Sequence, residues 1–120
     1  MNSLDIHMQL SNIKGFKGVF SINNFPKTFK SYPAYFVVNS KPDTDRGEHW
    51  FGICKIKHNE TVLFCSYGQS PGFYNLKFKG KTWYYPRRVQ KNDNSCAQHV
   101  IYFIRQMSKK KPLMYTKFYQ

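Results

Sequence analysis

Three residues of this 120-residue chain carry side chains that together can perform acyl transfer: His49, Gln90 and Cys96. A thiolate attacks a carbonyl carbon, an imidazole takes the thiol proton and returns it to the leaving group, and an amide can donate a hydrogen bond to the oxyanion that forms. The three residues therefore suggest a nucleophile in Cys96, a general base in His49 and an oxyanion donor in Gln90.

The element that must position Cys96 is a helix. Asn94 and Ser95 are residue types that cap helices, and the apolar spacing from Cys96 to Ile104 is that of a buried helix. We predict a helix over 95–108 that ends before the lysines and proline at 109–112. The Cys96 thiol would then lie at the positive end of the helix dipole, which favours the thiolate.

The element that must position His49 is a strand. His49 immediately precedes an apolar run, so the imidazole is predicted to stand at a strand start. Strands are predicted at 35–39, 50–57, 61–67 and 81–85, the middle two as a hairpin, with a short helix or loose arm at 1–12, a turn-rich connection at 21–32 and a polar loop at 40–47. The predicted fold class is α+β, one domain over 1–120 in which a small antiparallel or mixed sheet packs on one central helix.

Each of the three residues also has a plainer interpretation when it is taken alone. A histidine beside Trp50 is more often structural than catalytic, a cysteine at a helix start is commonly a small core residue, and Gln90 is expected in a loop. The order of the three residues along the chain is what favours a catalytic role for them.

In this order the chain resembles the adenovirus maturation protease (adenain) family, most closely the shorter versions carried by virophages and Polinton/Maverick elements. The similar segments, which run in family order, are 16–20, 35–40, 47–50, 63–68 and 83–103. The combination of Cys, His and Gln also resembles the catalytic residues of SUMO-deconjugating proteases. The segments before the histidine favour the adenain-like branch.

The resemblance implies roles for individual residues. Cys96 would be the nucleophile, His49 the base and Gln90 the oxyanion donor, while Trp50 would shape the pocket beside His49. The carboxylate or amide that usually orients the histidine is replaced here by Cys65, and the glycine that usually follows the nucleophile is replaced by Ala97. With Cys65 the histidine tautomer would be held less firmly; Ala97 would narrow the site or alter the oxyanion hole.

The orienting role could also fall to another group of the chain. None of the six acids has a spacing that recommends it, and Ser66 or a bound water is an alternative acceptor for the imidazole. Two versions of the family interpretation therefore stay open. One is an active cysteine endopeptidase that processes capsid or other virion precursors; the other is a catalytically impaired, protease-derived protein that binds nucleic acid. A SUMO-type deconjugating enzyme is a third alternative.

The charge of the chain predicts a polyanionic partner. Nineteen Lys and Arg against six acids give a net charge of +13, which favours binding of DNA or RNA that weakens with salt. The basic residues recur at Lys14, Lys17, Lys27, Lys30, Lys55, Lys57, Lys77, Lys79, Lys81, Arg87, Arg88, Lys91 and Lys109 to Lys111. The alternation of apolar and basic residues at 73–81 predicts an edge hairpin or loop with one basic face. The adenain resemblance likewise implies DNA as an activating cofactor and a second, peptide activator.

Three cysteines without close pairs predict neither a disulfide framework nor a metal site. Cys54 is expected to be structural. Cys65 is expected near His49 if the hairpin pairs, with an oxidative link to Cys96 as a minor alternative. No stretch has the length of a membrane span and the start of the chain lacks a signal-peptide profile. We therefore expect no membrane partner and no secretion. The adenain resemblance implies a location in the virion or in the host cytoplasm or nucleus.

Overall fold

A mixed β-sheet lies at the centre of the fold. The computed structural model describes residues 2–40, 49–89 and 95–109, and the backbone of 117–119. Within these residues the strands are β1 (Phe16–Ser21), β2 (Ala34–Asn39), β3 (Trp50–Lys57), β4 (Glu60–Phe64), β5 (Lys81–Tyr84) and β6 (Lys117–Tyr119). They lie side by side in chain order. The β1–β2 and β4–β5 pairs are parallel and the other pairs are antiparallel.

Two helices, α1 (Ser3–Leu10) and α2 (Cys96–Ser108), cover one face of the sheet. A capping box between Asn2 and Asp5 starts α1, which buries Ile6 and Leu10 in the same apolar cluster as the inner face of α2. The buried residues of α2 recur with helical spacing, at Cys96, Ala97, Val100, Ile101, Phe103 and Ile104. Of these residues, those from Ala97 to Ile104 join Ile6 and Leu10 in one apolar cluster, which we call the first core.

The backbone of α2 comes close to β3 because Gly52 has no side chain. A Cβ atom at Gly52 would lie 2.9 Å from the ring of Phe103 and 3.0 Å from Val100. Such distances leave no room for a methyl group unless the helix shifts. Gly52 therefore fixes how closely α2, with Cys96 at its start, approaches the strand that follows His49.

The other face of the sheet carries a second core, which is covered by irregular segments. Phe25 and Phe29, from the segment between β1 and β2, pack on Phe36 with ring centroids 5.7 and 5.3 Å away. Tyr74 and Phe78, from the segment between β4 and β5, cover the neighbouring strands. Both faces of the sheet are thus buried, which explains the long apolar runs of β2 and β3.

The α+β class with a mixed sheet is confirmed, as are the strands predicted near 35–39, 50–57 and 81–85 and the helix predicted over 95–108. Of the two alternatives for 1–12, the helix is correct. The predicted strand at 61–67 is shorter, since β4 ends at Phe64, and β1 and β6 were not predicted. The predicted loop at 40–47 lies outside the described residues except for Ser40.

The hairpin alternative for 73–81 is wrong. Pro71–Tyr74 forms a short 3-10 helix, and Asn75 closes it in the left-handed conformation with φ of 56°. The alternation of apolar and basic residues, which suggested a strand, instead reflects how this segment packs on the sheet. Leu76 and Phe78 point into the second core while Lys77 and Lys79 are exposed, so the predicted basic face is present.

No helix in the described part of the chain is long and apolar enough to cross a membrane.

Candidate active site

His49 lies immediately before β3 and its ring faces the second core. Its Nε2 atom is 3.2 Å from the Sγ atom of Cys65, and its ring stacks on that of Tyr67 with centroids 4.9 Å apart. Its carbonyl accepts a hydrogen bond of 2.8 Å from the amide of Ser40. Burial lowers the pKa of His49 below its ordinary value, so the neutral imidazole is favoured.

The register of the hairpin explains these contacts. Gly52 pairs with Phe64, so extending the antiparallel register by one residue on each strand places Phe51 opposite Cys65. Two residues further along, His49 faces Tyr67. Opposed residues share a face of the sheet, and so do residues two apart along a strand. His49, Phe51, Cys65 and Tyr67 are therefore gathered on one face.

Cys65 is the inner partner of His49. Its exposed fraction is 0%, and its Sγ atom is also 2.9 Å from the hydroxyl oxygen of Tyr74. The Tyr74 ring stacks on Phe51 with centroids 4.4 Å apart, which fixes the hydroxyl over the sulfur. Burial raises the pKa of Tyr74, and the neighbouring thiols of Cys65 and Cys96 raise it further. Tyr74 is consequently a neutral hydroxyl that can either donate to the sulfur or accept from it.

Cys96 is the first residue of α2 and is buried, with an exposed fraction of 6%. The direction of α2 places it at the His49 end of the sheet. Val100, in the next turn, lies against Gly52, whereas the carbonyl of Met107 near the helix end is 3.5 Å from the hydroxyl of Tyr35. Since Tyr35 pairs with Cys54 further along β3, α2 and β3 run in the same direction and start together.

Tyr74 lies close to both candidate cysteines, Cys65 and Cys96. It contacts Cys65 directly, and Cys96 is near enough to raise the pKa of its hydroxyl. The structure thus brings His49 and Cys65 into contact and places Cys96 in the same neighbourhood. The thiols of Cys54, Cys65 and Cys96 are all free.

Two other residues singled out from the sequence lie on the helix side of the sheet. Trp50 is half-buried and packs against the first core, on the face opposite to the His49 ring, because side chains alternate along a strand. Ala97 is buried in the same core, so its methyl group contributes to the packing of α2.

Gln90 lies outside the described residues, but the chain leading to it is well placed. The amide of Val89 donates a hydrogen bond of 2.8 Å to the carbonyl of Ser66, next to Cys65. Gly68 has φ of +74°, and a side chain there would meet the backbone of Pro86 at 2.8 Å. These two close approaches bring the segment ending at Val89 to the edge of the site.

Arg88 on the same segment adds a positive charge to the wall of the site. Its guanidinium carbon lies 4.8 Å from the centre of the Tyr67 ring, which itself stacks on His49. The sequence interpretation missed the roles of Tyr67 and Tyr74. The register of the hairpin could have indicated Tyr67, whereas no spacing pointed to Tyr74, which reaches the site from an irregular segment.

The carboxylates of the described residues are engaged away from His49. Asp5 accepts from the backbone of Asn2 at the start of α1, and Glu60 accepts a hydrogen bond of 3.0 Å from the indole of Trp83. The other four acids lie outside the described residues. Across the described ranges no three His, Cys, Asp or Glu residues are grouped as metal ligands.

The basic residues divide into surface and core positions. Lys77 and Lys79 are exposed on the segment that carries Tyr74, and Lys81 is exposed at the start of β5. Lys55, which the sequence placed among the basic surface residues, is instead buried, with an exposed fraction of 3%, and donates to the hydroxyl of Thr61. Burial lowers its pKa. It is therefore not available for phosphate contacts.

No protein-family model matches this chain, and a search of curated proteins finds no match.

Proposed function

We propose that this protein is a cysteine endopeptidase in which Cys96 is the nucleophile, His49 the general base and Gln90 the oxyanion donor. The observation that carries the proposal is the 3.2 Å contact between His49 Nε2 and Cys65 Sγ. It accounts for one ring nitrogen and leaves the other, Nδ1, for the nucleophile. An orienting partner on one nitrogen and a nucleophile at the other is the arrangement that a catalytic histidine needs.

The tautomer decides whether His49 can act. To take a proton at Nδ1, the neutral ring must carry its own proton on Nε2, and that N–H must donate to the sulfur of Cys65. The thiol proton of Cys65 then needs another acceptor, and the oxygen of Tyr74, 2.9 Å from the sulfur, supplies one. The pair Cys65 and Tyr74 would therefore do the orienting work of the missing carboxylate.

Exposure and helix position favour Cys96 over Cys65 as the nucleophile. Cys65 has an exposed fraction of 0% and Cys96 one of 6%, so a substrate needs a smaller movement to reach Cys96. Cys96 also begins a helix of 13 residues, whose positive end favours a thiolate. Cys65 lies beneath the imidazole, where an orienting group belongs.

The reaction would follow from these positions. The Cys96 thiol gives its proton to His49 Nδ1, and the thiolate attacks the carbonyl carbon of the scissile bond. The amide of Gln90 donates to the oxyanion. The tetrahedral intermediate collapses to a thioester, and the imidazolium returns the proton to the leaving amine. Water, deprotonated by His49, then hydrolyses the thioester and releases the carboxylate and the free thiol.

The neutral partner sets a limit on the rate. A carboxylate stabilises the imidazolium that forms during attack, whereas a thiol carries no charge and only orients the ring. Burial of His49 opposes the imidazolium as well, because it lowers the pKa. A slow enzyme, or one that needs an activator to exclude water and close the site, is the expected result.

The proposed substrates are capsid or other virion precursor proteins, with DNA as the associated polyanion, a virion or host-cell location and a short peptide as a further activator. Support for these comes from the resemblance to the adenain family together with the charge of +13. The exposed Lys77 and Lys79 lie on the segment that presents Tyr74 to Cys65, and the exposed Lys81 follows at the start of β5. DNA bound to these lysines would lie beside Tyr74, which contacts Cys65 in the site.

A second candidate is a protease-derived nucleic-acid-binding protein with weakened chemistry. The neutral Cys65 in place of a carboxylate favours it. The basic segment would then be the functional part of the molecule.

Peptide-library cleavage with and without duplex DNA, compared between the wild type and Cys96→Ser, tests the proposal. Cleavage that disappears in Cys96→Ser supports the endopeptidase. Cleavage that persists in Cys96→Ser but disappears in Cys65→Ser would overturn the assignment of the nucleophile. DNA binding without cleavage in either condition would favour the second candidate.

A further inference from the structure

A cavity lies far from His49, at the opposite end of the sheet. Its volume is about 840 Å³, within the range of small-molecule sites in proteins. Tyr35 and Cys54, paired across β2 and β3, form its floor, and Met107 near the end of α2 forms one wall. We call it the Tyr35 cavity. Because α2 and β3 run in the same direction, it opens where α2 ends, whereas Cys96 lies where α2 begins.

The interior of the Tyr35 cavity is uncharged. Burial, together with Glu60, raises the pKa of the Cys54 thiol to about 12. Burial, together with Cys54, also raises the pKa of Tyr35. Both groups are therefore protonated and neutral at physiological pH. With the apolar side chains of Met107 and Ile56 beside them, they form a lining suited to an apolar group.

The rim of the cavity is positive. Lys14 and Lys17 line it and are exposed, and the ammonium of Lys17 lies 3.4 Å from the hydroxyl of Ser31 on the other side of the opening. The carboxylates of the described residues act elsewhere, since Asp5 caps α1 and Glu60 accepts from Trp83. Glu60 is nevertheless near enough to Cys54 to raise its pKa, so an anion is disfavoured at the floor and favoured at the rim.

The geometry points to a binding site for a small amphipathic carboxylate, with the apolar tail on Tyr35 and Met107 and the carboxylate between Lys14 and Lys17. The charge of the rim selects the anionic head and the neutral lining selects the tail. The site is separate from the proposed peptidase centre and does not depend on it.

Methionine-methyl NMR with octanoate as the probe tests this site on the full chain. The Met107 methyl signal is expected to shift and saturate with octanoate, while that of Met8, which is 67% exposed on α1, stays in place. Octylammonium has a similar tail and the opposite charge, and is expected to bind at least about tenfold more weakly. A Met107 signal that does not move, or a Met8 signal that moves equally, would overturn the proposal.

Two pairs of variants locate the ligand. The double variant Lys14→Gln with Lys17→Gln is expected to weaken octanoate binding about three- to tenfold. The double variant Lys77→Gln with Lys79→Gln, on a distant segment, is expected to leave octanoate binding unchanged. Ser31→Trp places a ring over the opening and is expected to abolish the Met107 shift; the exposed control Thr28→Trp is not. These are surface changes, so folding is preserved. Equal weakening by both lysine pairs would mean that net charge alone attracts the ligand, which contradicts a site.

Discussion

The Nε2 atom of His49 lies 3.2 Å from the Sγ atom of Cys65, so a thiol stands where a carboxylate or amide would ordinarily orient a catalytic histidine. The contact follows from the hairpin register, which gathers both side chains on one face of the sheet. A thiol can hold the ring but cannot stabilise its positive charge. The proposed chemistry therefore has a specific weakness that substitution can probe.

Cys65→Asp should raise the pKa of His49 and the reactivity of Cys96. A carboxylate beside Nε2 favours the imidazolium and stabilises the thiolate–imidazolium pair, so an increase in rate of about tenfold or more is expected. NMR titration of the imidazole gives the pKa, and alkylation or peptide cleavage gives the rate. Cys65→Ala is the matched control, since it removes the contact without adding charge and should lower the rate. A gain in both variants would show that Cys65 does not orient His49.

Tyr74→Phe should lower the rate of the chemistry more than it lowers stability. The hydroxyl lies 2.9 Å from Cys65 Sγ, and its loss frees the thiol proton to donate to Nε2, which favours the wrong tautomer. We expect a several-fold loss of rate and a decrease in unfolding free energy of about 1 kcal/mol. Imidazole ¹⁵N shifts report the tautomer.

The control for Tyr74→Phe is Tyr102→Phe, which removes a hydroxyl from an exposed position on α2. It should change neither rate nor tautomer. An unaltered tautomer in Tyr74→Phe would exclude a positioning role for this hydroxyl.

Cys65 and Tyr74 also show how far the sequence could predict the site. Strand β3 and helix α2 were predictable because their apolar spacing is regular, and the hairpin brought Cys65 toward His49. Strand β1 was missed because Lys17 and Gly18 interrupt the apolar pattern of an edge strand. Tyr74 was missed because a 3-10 turn and a left-handed Asn75 place it, and neither has a periodic signature.

The stability of the protein should fall on acidification through the titration of His49. Burial lowers its folded pKa below the ordinary value of 6.5, so below 6.5 the unfolded chain binds a proton that the folded protein excludes. The unfolding free energy therefore decreases as pH falls from 6.5 through the folded pKa and levels off below it, by about 1.4 kcal/mol per unit of lowering.

Denaturant unfolding between pH 8 and pH 4, compared between the wild type and His49→Gln, isolates this effect, since other titrating groups are common to both proteins. The difference in unfolding free energy should change across the window in which His49 titrates. A difference that is flat with pH would contradict a buried neutral imidazole.

DNA binding should depend on the exposed lysines that follow the 3-10 helix up to the first residue of β5. Replacing Lys77, Lys79 and Lys81 by Gln should weaken binding and reduce the slope of log K against log salt by up to about 2.7, at roughly 0.9 per phosphate contact. Replacing the exposed Lys14, Lys27 and Lys30 changes net charge equally and is the control. Identical slopes for the two triple variants would indicate diffuse attraction rather than a DNA site on this segment.

The central claim, that His49 activates Cys96, is tested most directly by the pH dependence of Cys96 alkylation. Mass spectrometry resolves Cys96 from Cys54 and Cys65 in the native protein and in His49→Ala, with and without DNA. The account predicts fast labelling of Cys96 near neutral pH that is lost in His49→Ala, with Cys54 unreactive because its pKa is raised to about 12. Labelling of Cys96 no faster than an ordinary thiol and indifferent to His49, in both conditions, would contradict it.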